Sequence, residues 1–380
     1  LVGSEMCIRD SYNSNTYKHI MMLKRIFKVY LIIGNNFNMW LSPILSGLLL
    51  FCLRIIVAAG QILDHLFFWS VRKPLNNPVI IVGNPRSGTT FLHRFLIKQQ
   101  IGSGSQLWQT LYPSILIQKL VKPFLPLMEK VSPARHHSTE AHKTSLTSVE
   151  TDDVSLLFRY LDGFFLYGFF LTFDDDDLFH WVDPKVRDTS KRDFEWFESS
   201  WKRNLISNNS NRYIGKLFSL SSNLPAFQKQ YKDAKILYMI RDPLSVIPSG
   251  LSLVTGVLDK KFDFWSLESE IKKKFINRLY LALVELLKRF HQDWVNNRID
   301  KEKVMIIRFD FMMNNFESLM DDIIDFLNIQ RNDQLLKDIQ YTAEKQREYQ
   351  SGHKYDLEKF GLSENQIKND CKEIYQTFLS

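Results

Sequence analysis

The sequence predicts an α/β chain: a parallel β-sheet flanked by helices, with a helical insertion and an apolar helical segment at the N-terminus. Two observations carry that expectation. Four short apolar runs, Val79 to Gly83, Arg212 to Phe218, Lys235 to Ile240 and Lys303 to Phe309, are each followed by a loop and then a helical stretch. Between the first two runs, from about Ile101 to Ser210, there is no good strand signal, so this stretch reads as the insertion. The longest helix is expected from about Trp265 to Asn296.

Composition narrows the class. Hydrophobic residues at 45% and charged residues at 24% exclude wholesale disorder in the 380 residues, and 29 Phe predict an aromatic core. A net charge of +7 suits an anionic ligand or a membrane surface and names neither. Cys7, Cys52 and Cys371 lie far apart, without the spacing of a disulfide framework or a zinc site, and no H-E-x-x-H string occurs. No metal is therefore expected. The run Asp174 to Asp177 lacks the Gly and ligand spacing of a calcium loop and reads as a solvated turn.

The N-terminus divides into two parts. Residues 1–12, opening LVGSEMCIRD, resemble a translated sequencing adapter and read as a non-native leader, with a natural start at Met21 or Met22. Residues 13–73 form an apolar segment, nearly uninterrupted from Met39 to Leu53 before Arg54. Pro43, Gly47 and Arg54 weaken a clean membrane span, and Lys18, Lys24, Arg25 and Lys28 precede it. Three readings stay open: an interfacial helix, a helix packed on the main domain, and a spanning anchor. Membrane association on the cytoplasmic side is expected ahead of spanning. The Pro/Asn-rich stretch Val71 to Pro78 marks the start of the main domain, taken as 74–380.

Chemistry concentrates at Gly83-Asn84-Pro85-Arg86-Ser87-Gly88-Thr89-Thr90, between the first strand and a helix with Phe91, Leu92, Phe95 and Leu96 on one side. This is a P-loop-like arrangement: backbone N–H groups of a tight loop point inward, and the helix N-terminus adds partial positive charge. A nucleotide-hydrolysing loop would carry Lys where Thr89 stands; here the cation is Arg86, inside the loop. A small-molecule kinase would need that Lys and a magnesium carboxylate. After the third strand, Arg241-Asp242-Pro243 opens a helix that carries Ser249, a combination suited to a second phosphate.

With both motifs in this order, the sequence resembles the sulfotransferases that use 3′-phosphoadenosine 5′-phosphosulfate (PAPS), in the bacterial-type branch with P-R-S-G-T-T. The resemblance covers roughly residues 74–365. It implies that Pro85, Arg86, Ser87, Gly88, Thr89 and Thr90 hold the 5′-phosphosulfate, and Arg241 and Ser249 the 3′-phosphate. Lys216, 25 residues before Arg241, matches the Lys of the family's K-S-P-x-H string, whereas Leu217, Phe218 and Leu220 depart from it. Gln109 stands where relatives carry a Glu, and it cannot take a proton.

For the general base the resemblance leaves His142, directly, or Glu150, with Asp152 and Asp153 nearby. The bland alternative is that these acids cap a helix. His353, Lys354 and Tyr355 resemble an ending that closes over the nucleotide, and a surface turn reads equally well. The implied partners are PAPS and a small-molecule, lipid or glycan acceptor; no nucleic acid is expected. The aromatic stretch Leu156 to Phe173 reads either as an acceptor lining or as core. A non-catalytic PAPS-binding protein is the competing reading, since Gln109 and Leu220 depart from the family.

Overall fold

Alternate residues of one central strand point to opposite sides of the sheet, and on both sides they are buried. In this computed structural model, which describes residues 21–132, 145–348 and 357–380, the strands are β1 (Val79–Val82), β2 (Ile214–Lys216), β3 (Lys235–Ile240) and β4 (Val304–Arg308). They form one parallel sheet in the order β2-β1-β3-β4, with Ile81 opposite Lys216, Val82 opposite Tyr238 and Ile240 opposite Arg308. Ile80 and Val82 join one apolar cluster with Ile236 and Tyr238, while Val79 and Ile81 join a second with Leu237 and Met239. The expected α/β class is observed, with strands within two residues of their predicted ends.

The chain leaves β1 for β2 on one side and then crosses to β3 on the other. Such a reversal opens a crevice beyond the carboxyl end of the central strand, where ligands of open α/β sheets bind. The Gly83 loop, the residues after Lys216 and Arg241 all emerge there. Helix α3 (Thr89–Lys98) follows the loop. The insertion is helical as expected, its longest piece being Ser190–Ser207. The long C-terminal helix runs Ser269–Val295, shorter than predicted because Phe264–Ser266 turns more tightly before it.

The apolar N-terminal segment is helical: α1 covers 21–37 and α2 covers Leu41–Phe67. Pro43 falls in the first turn of α2, where its missing N–H costs nothing, so the helix continues unbroken through Gly47 and Arg54. One face of α2 is packed on the main domain. Arg54 Nε donates to the Phe158 carbonyl at 2.8 Å, and Gln61 Nε2 to the Pro113 carbonyl at 2.9 Å. Gly60 lies so close to the next helix that a Cβ there would meet Ile117 Cδ1 at 2.4 Å. Asp64, fully buried, accepts from the backbone N–H of Ile115 and Leu116 and from Arg203 Nε at 2.9 Å.

Asp64 thus fixes α2, caps the Ile115–Val121 helix and neutralises a buried guanidinium at once. Removing one partner strands the other charge in the interior. Asp64→Ala should lower stability by about 3–5 kcal/mol in urea unfolding, and adding Arg203→Ala to it should cost little more.

Candidate functional site

The loop after β1 adopts a conformation that its composition accommodates at two positions and resists at a third. Gly83 has φ 141°, and a Cβ there would lie 2.4 Å from the Met239 carbonyl oxygen. Gly88 has φ 94°, and a Cβ would meet Met312 and Phe309 below 3.0 Å. Between them Arg86 sits at φ 77°, the left-handed region that an L side chain enters at a cost of about 1–2 kcal/mol. The loop is held from within and from behind: Ser87 N and Oγ both donate to the Asn84 carbonyl, and Asn84 Nδ2 donates to the Leu283 carbonyl at 2.8 Å. Thr89 and Thr90 begin α3, at the positive end of its dipole.

The two predicted phosphate motifs meet. Arg86 Nε donates to Ser249 Oγ at 3.1 Å, and Arg241 Nη1 donates to the Arg86 carbonyl at 2.9 Å. The Arg241 guanidinium stacks 4.2 Å from the Phe309 ring centroid, which helps to orient it. Its helix, Pro243–Phe262, is started by Asp242, whose carboxylate accepts from Leu244 N at 2.9 Å and from Tyr375 OH at 2.5 Å. Arg86, Arg241 and Ser249, more than 150 residues apart in sequence for the first pair, form one cluster.

At the other end of the loop, Lys216 Nζ donates to Thr90 Oγ1 at 3.0 Å. Lys216 is 6% exposed, so its ammonium is drawn out of solvent at the strand end. Burial pushes its ammonium below the usual lysine range, and Glu150, Asp152 and Asp153 pull it back up. Those acids do not cap the helix Val154–Tyr160 that follows them: Asp153 makes no capping bond there. Instead Asp152 accepts from Tyr213 OH at 2.7 Å and Lys216 N at 3.1 Å, and Asp153 accepts from Phe218 N at 2.8 Å and from Ser219 Oγ. Both carboxylates grip the chain on either side of Lys216. Glu150 meets Arg94 Nη2 at 3.4 Å and Ser148 Oγ at 2.8 Å.

Among base candidates, His142 lies outside the described residues, as do His353, Lys354 and Tyr355. Asp152 has both oxygens occupied and is buried; its carboxyl is raised to about 6 by that burial. Gln109 is a framework residue, 1% exposed, receiving Gln106 N and donating to Asn208 Oδ1 at 2.9 Å. The aromatic stretch is largely core: Leu156, Leu166, Tyr167, Leu171 and Phe173 are buried. Phe164 and Phe165 are half-buried and pack edge-on against Phe218, two residues beyond Lys216. Of the acidic run, Asp174 is buried and pairs with Lys28, while Asp175, which pairs with Lys274, Asp176 and Asp177 are exposed, as a solvated turn expects. Among the described residues no group of side chains is arranged to hold a metal ion.

Sequence reading overlooked His93, one turn beyond Thr89 in the string T-T-F-L-H. It is fully buried, one ring nitrogen at 2.8 Å from the Ile214 carbonyl, and close enough to Lys216 to feel its charge. Burial first, then Lys216, holds its pKa at about 3, so it packs as a neutral ring and braces α3 on β2. A depressed histidine contributes stability that is intact above the ordinary value of 6.5 and lost as pH falls toward the folded value. His93→Gln, which keeps a donor for Ile214, should therefore lose less stability than the parent between about pH 6.5 and pH 4 in denaturant titrations.

Comparison with known proteins bears on the fold and the family. The fold is similar to that of sulfotransferase STF1 from Mycobacterium tuberculosis, with a TM-score of 0.68 and 15% identity over 92% of this chain and 90% of that one. Sulfotransferase STF9 from Mycobacterium avium is similar at a TM-score of 0.66 and 15% identity, over 84% and 81% of the two chains. No curated protein sequence matches. The sequence model described as "Sulfotransferase family" matches residues 78–333, which contain β1 to β4, the Gly83 loop, Lys216 and the Arg241 motif. By that match this chain is a member of the sulfotransferase family.

Proposed function

We propose that the protein transfers a sulfuryl group from PAPS to a hydroxyl or amine acceptor, releasing the sulfated acceptor and adenosine 3′,5′-bisphosphate. The observation that carries this reading is the junction of the two motifs through Arg86, Ser249 and Arg241. A donor with phosphate at two positions needs two adjacent anion sites, and the donor set fits it. The loop N–H groups, Thr89, Thr90 and the start of α3 suit one phosphate; Arg241 and Ser249 suit the other. In PAPS the sulfuryl group is already activated, and the reaction replaces its bond to a phosphate oxygen by a bond to the acceptor.

In this reading Arg86 and the loop hold the transferring group, Pro85 stiffens the loop, and Ser87 shapes it through its bonds to Asn84. Lys216, held at Thr90, stabilises the charge that develops on the leaving oxygen; its partial desolvation strengthens that interaction. His142 or Glu150 takes the acceptor's proton. His353, Lys354 and Tyr355 cover the nucleotide. The catalytic unit is 74–380. Phe164 and Phe165, packed on Phe218 two residues beyond Lys216, support an apolar acceptor, such as a lipid or small-molecule alcohol, over a glycan. The apolar segment 13–73 is read as membrane-associated on the cytoplasmic side.

Labelled PAPS with a panel of hydroxyl and amine acceptors, assayed with and without chelator, tests the reading. Turnover from PAPS that survives chelation is expected; activity from ATP alone would overturn it. Arg241→Ala should weaken adenosine 3′,5′-bisphosphate by about 1.5–3 kcal/mol in calorimetry, and unchanged affinity would remove the 3′-phosphate assignment. Arg86→Gly relieves the left-handed strain, so the melting temperature should hold or rise while turnover collapses. Loss of both together would make Arg86 a folding residue instead.

A further inference from the structure

We infer that α2 docks the protein on an anionic bilayer surface, lying in the plane of one leaflet rather than crossing it. The inference stands apart from the choice of donor. By length and composition α2 is able to cross a membrane, yet only 6% of its most apolar stretch is buried within the protein. A core helix of a soluble domain would be covered. Here Leu48, Leu49, Ile62, Leu66 and Phe67 are each 59–71% exposed.

The geometry of attachment decides between crossing and lying flat. The second half of α2 is held against the domain by Arg54, Gln61 and Asp64, each bonded to a group of the insertion. The turn before α2 is held as well: Phe37 stacks 4.4 Å from Phe262, and Met39 packs on the same core. The part of α2 between these attachments, Leu41 to Cys52, spans about 18 Å at 1.5 Å per residue, short of the roughly 30 Å of a hydrocarbon core. Spanning would pull the buried Asp64 away from Arg203. Resting on the surface leaves every one of these bonds in place.

Beyond α2, on the helical stretch from Ile115 to Val131, Leu120, Phe124 and Leu127 are also 60–71% exposed. The edge of the apolar face has the make-up of a membrane interface. Trp69 is 70% exposed with the Arg72 guanidinium 4.1 Å above its ring, and Lys119 lies 4.8 Å from the ring of Phe68. Lys73, Lys122 and Lys130 are exposed nearby in the chain. From residue 21 to 131 the sequence has 12 Lys and Arg but only two acids, Asp64 and Glu129. Asp64 is buried, and Glu129 is bonded to Leu146 N at 2.9 Å. This stretch is more basic than the whole chain, whose net charge is +7. Within this stretch Arg25, Lys28 and Arg94 pair with Asp162, Asp174 and Glu150, which leaves Arg72, Lys73, Lys119, Lys122 and Lys130 as the cations bordering the apolar face, a make-up that selects an anionic lipid surface over a neutral one.

Flotation of the full chain with phosphatidylcholine vesicles, with and without about 30% phosphatidylserine, tests this. Anionic vesicles should carry at least about tenfold more protein, and the difference should shrink with added salt. Leu48→Glu with Leu49→Glu should abolish flotation. Lys119→Gln with Lys122→Gln, which leaves the apolar face intact, should reduce it about tenfold on anionic vesicles alone. Equal binding to both vesicle types would overturn the lipid assignment. So would protease cleavage showing the two chain ends on opposite sides of the bilayer. An absence of flotation together with a dimer that Leu48→Glu and Leu49→Glu disperse would replace the bilayer by a second copy of the chain.

Discussion

A lysine ammonium carried out of water at the end of a three-residue strand is the constraint around which this site is built. Lys216 must be fixed in position and compensated in charge, and β2 is too short to do either alone. The insertion does both. Asp152 and Asp153 hold the backbone before and after the lysine, Thr151 donates to its carbonyl at 2.9 Å, and with Glu150 the three carboxylates act against the burial that lowers the ammonium's pKa. Thr90 Oγ1 then accepts a hydrogen bond from the ammonium and ties it to the start of α3. The sheet, the insertion and the phosphate-type loop therefore meet at one side chain, and displacement of any of them leaves a buried charge uncompensated.

The opposite end of the loop is governed by a different economy. Arg86 occupies a backbone conformation that glycine would adopt without strain, and its carbonyl and guanidinium are both engaged by the second motif. Strain of this kind persists where surrounding bonds over-determine the backbone, and it concentrates at functional sites. Gly83 and Gly88 allow the loop to press against Met239 and Met312, so Arg86 is the point between them at which the loop carries a side chain in the left-handed region. The loop consequently joins two electrostatically distinct clusters, a guanidinium pair at Ser249 and an ammonium at Thr90.

Much of this was legible in the sequence, for identifiable reasons. β-branched runs followed by helical periodicity placed all four strands, and β3 matched residue for residue because Lys235 to Ile240 is bounded by a loop on one side and Arg241-Asp242-Pro243 on the other. The pairing of Arg241 with the loop was implied only as a shared ligand; that Arg241 bonds the Arg86 carbonyl depends on φ at Arg86, which no spacing reveals. For the acids at 152 and 153 a helix cap stayed open as the alternative reading because capping is a local rule; apart from Thr151 beside Asp153, their partners lie 61 to 66 residues away. His93 was missed because one histidine on the inner side of a helix carries no pattern; its role exists only through the Ile214 carbonyl across the interior.

The apolar N-terminus shows why three readings of one segment stayed open together. Periodicity describes one helix face at a time, and α2 uses its faces for different purposes: Arg54, Gln61 and Asp64 bind the insertion while Leu48, Leu49 and Leu66 remain uncovered. Arg54, which by sequence argues against a membrane span, is the residue that attaches the helix to the Phe158 carbonyl. Phe158 lies in the helix Val154–Tyr160, which begins directly after Asp153. One seven-residue helix therefore links the exposed apolar face at one end to the carboxylates that hold Lys216 at the other. A helix that short transmits position rigidly, because shifting either end breaks a bond to a buried or half-buried partner. The N-terminal segment is on these grounds a part of the scaffold that sets the site, rather than a tether appended to it.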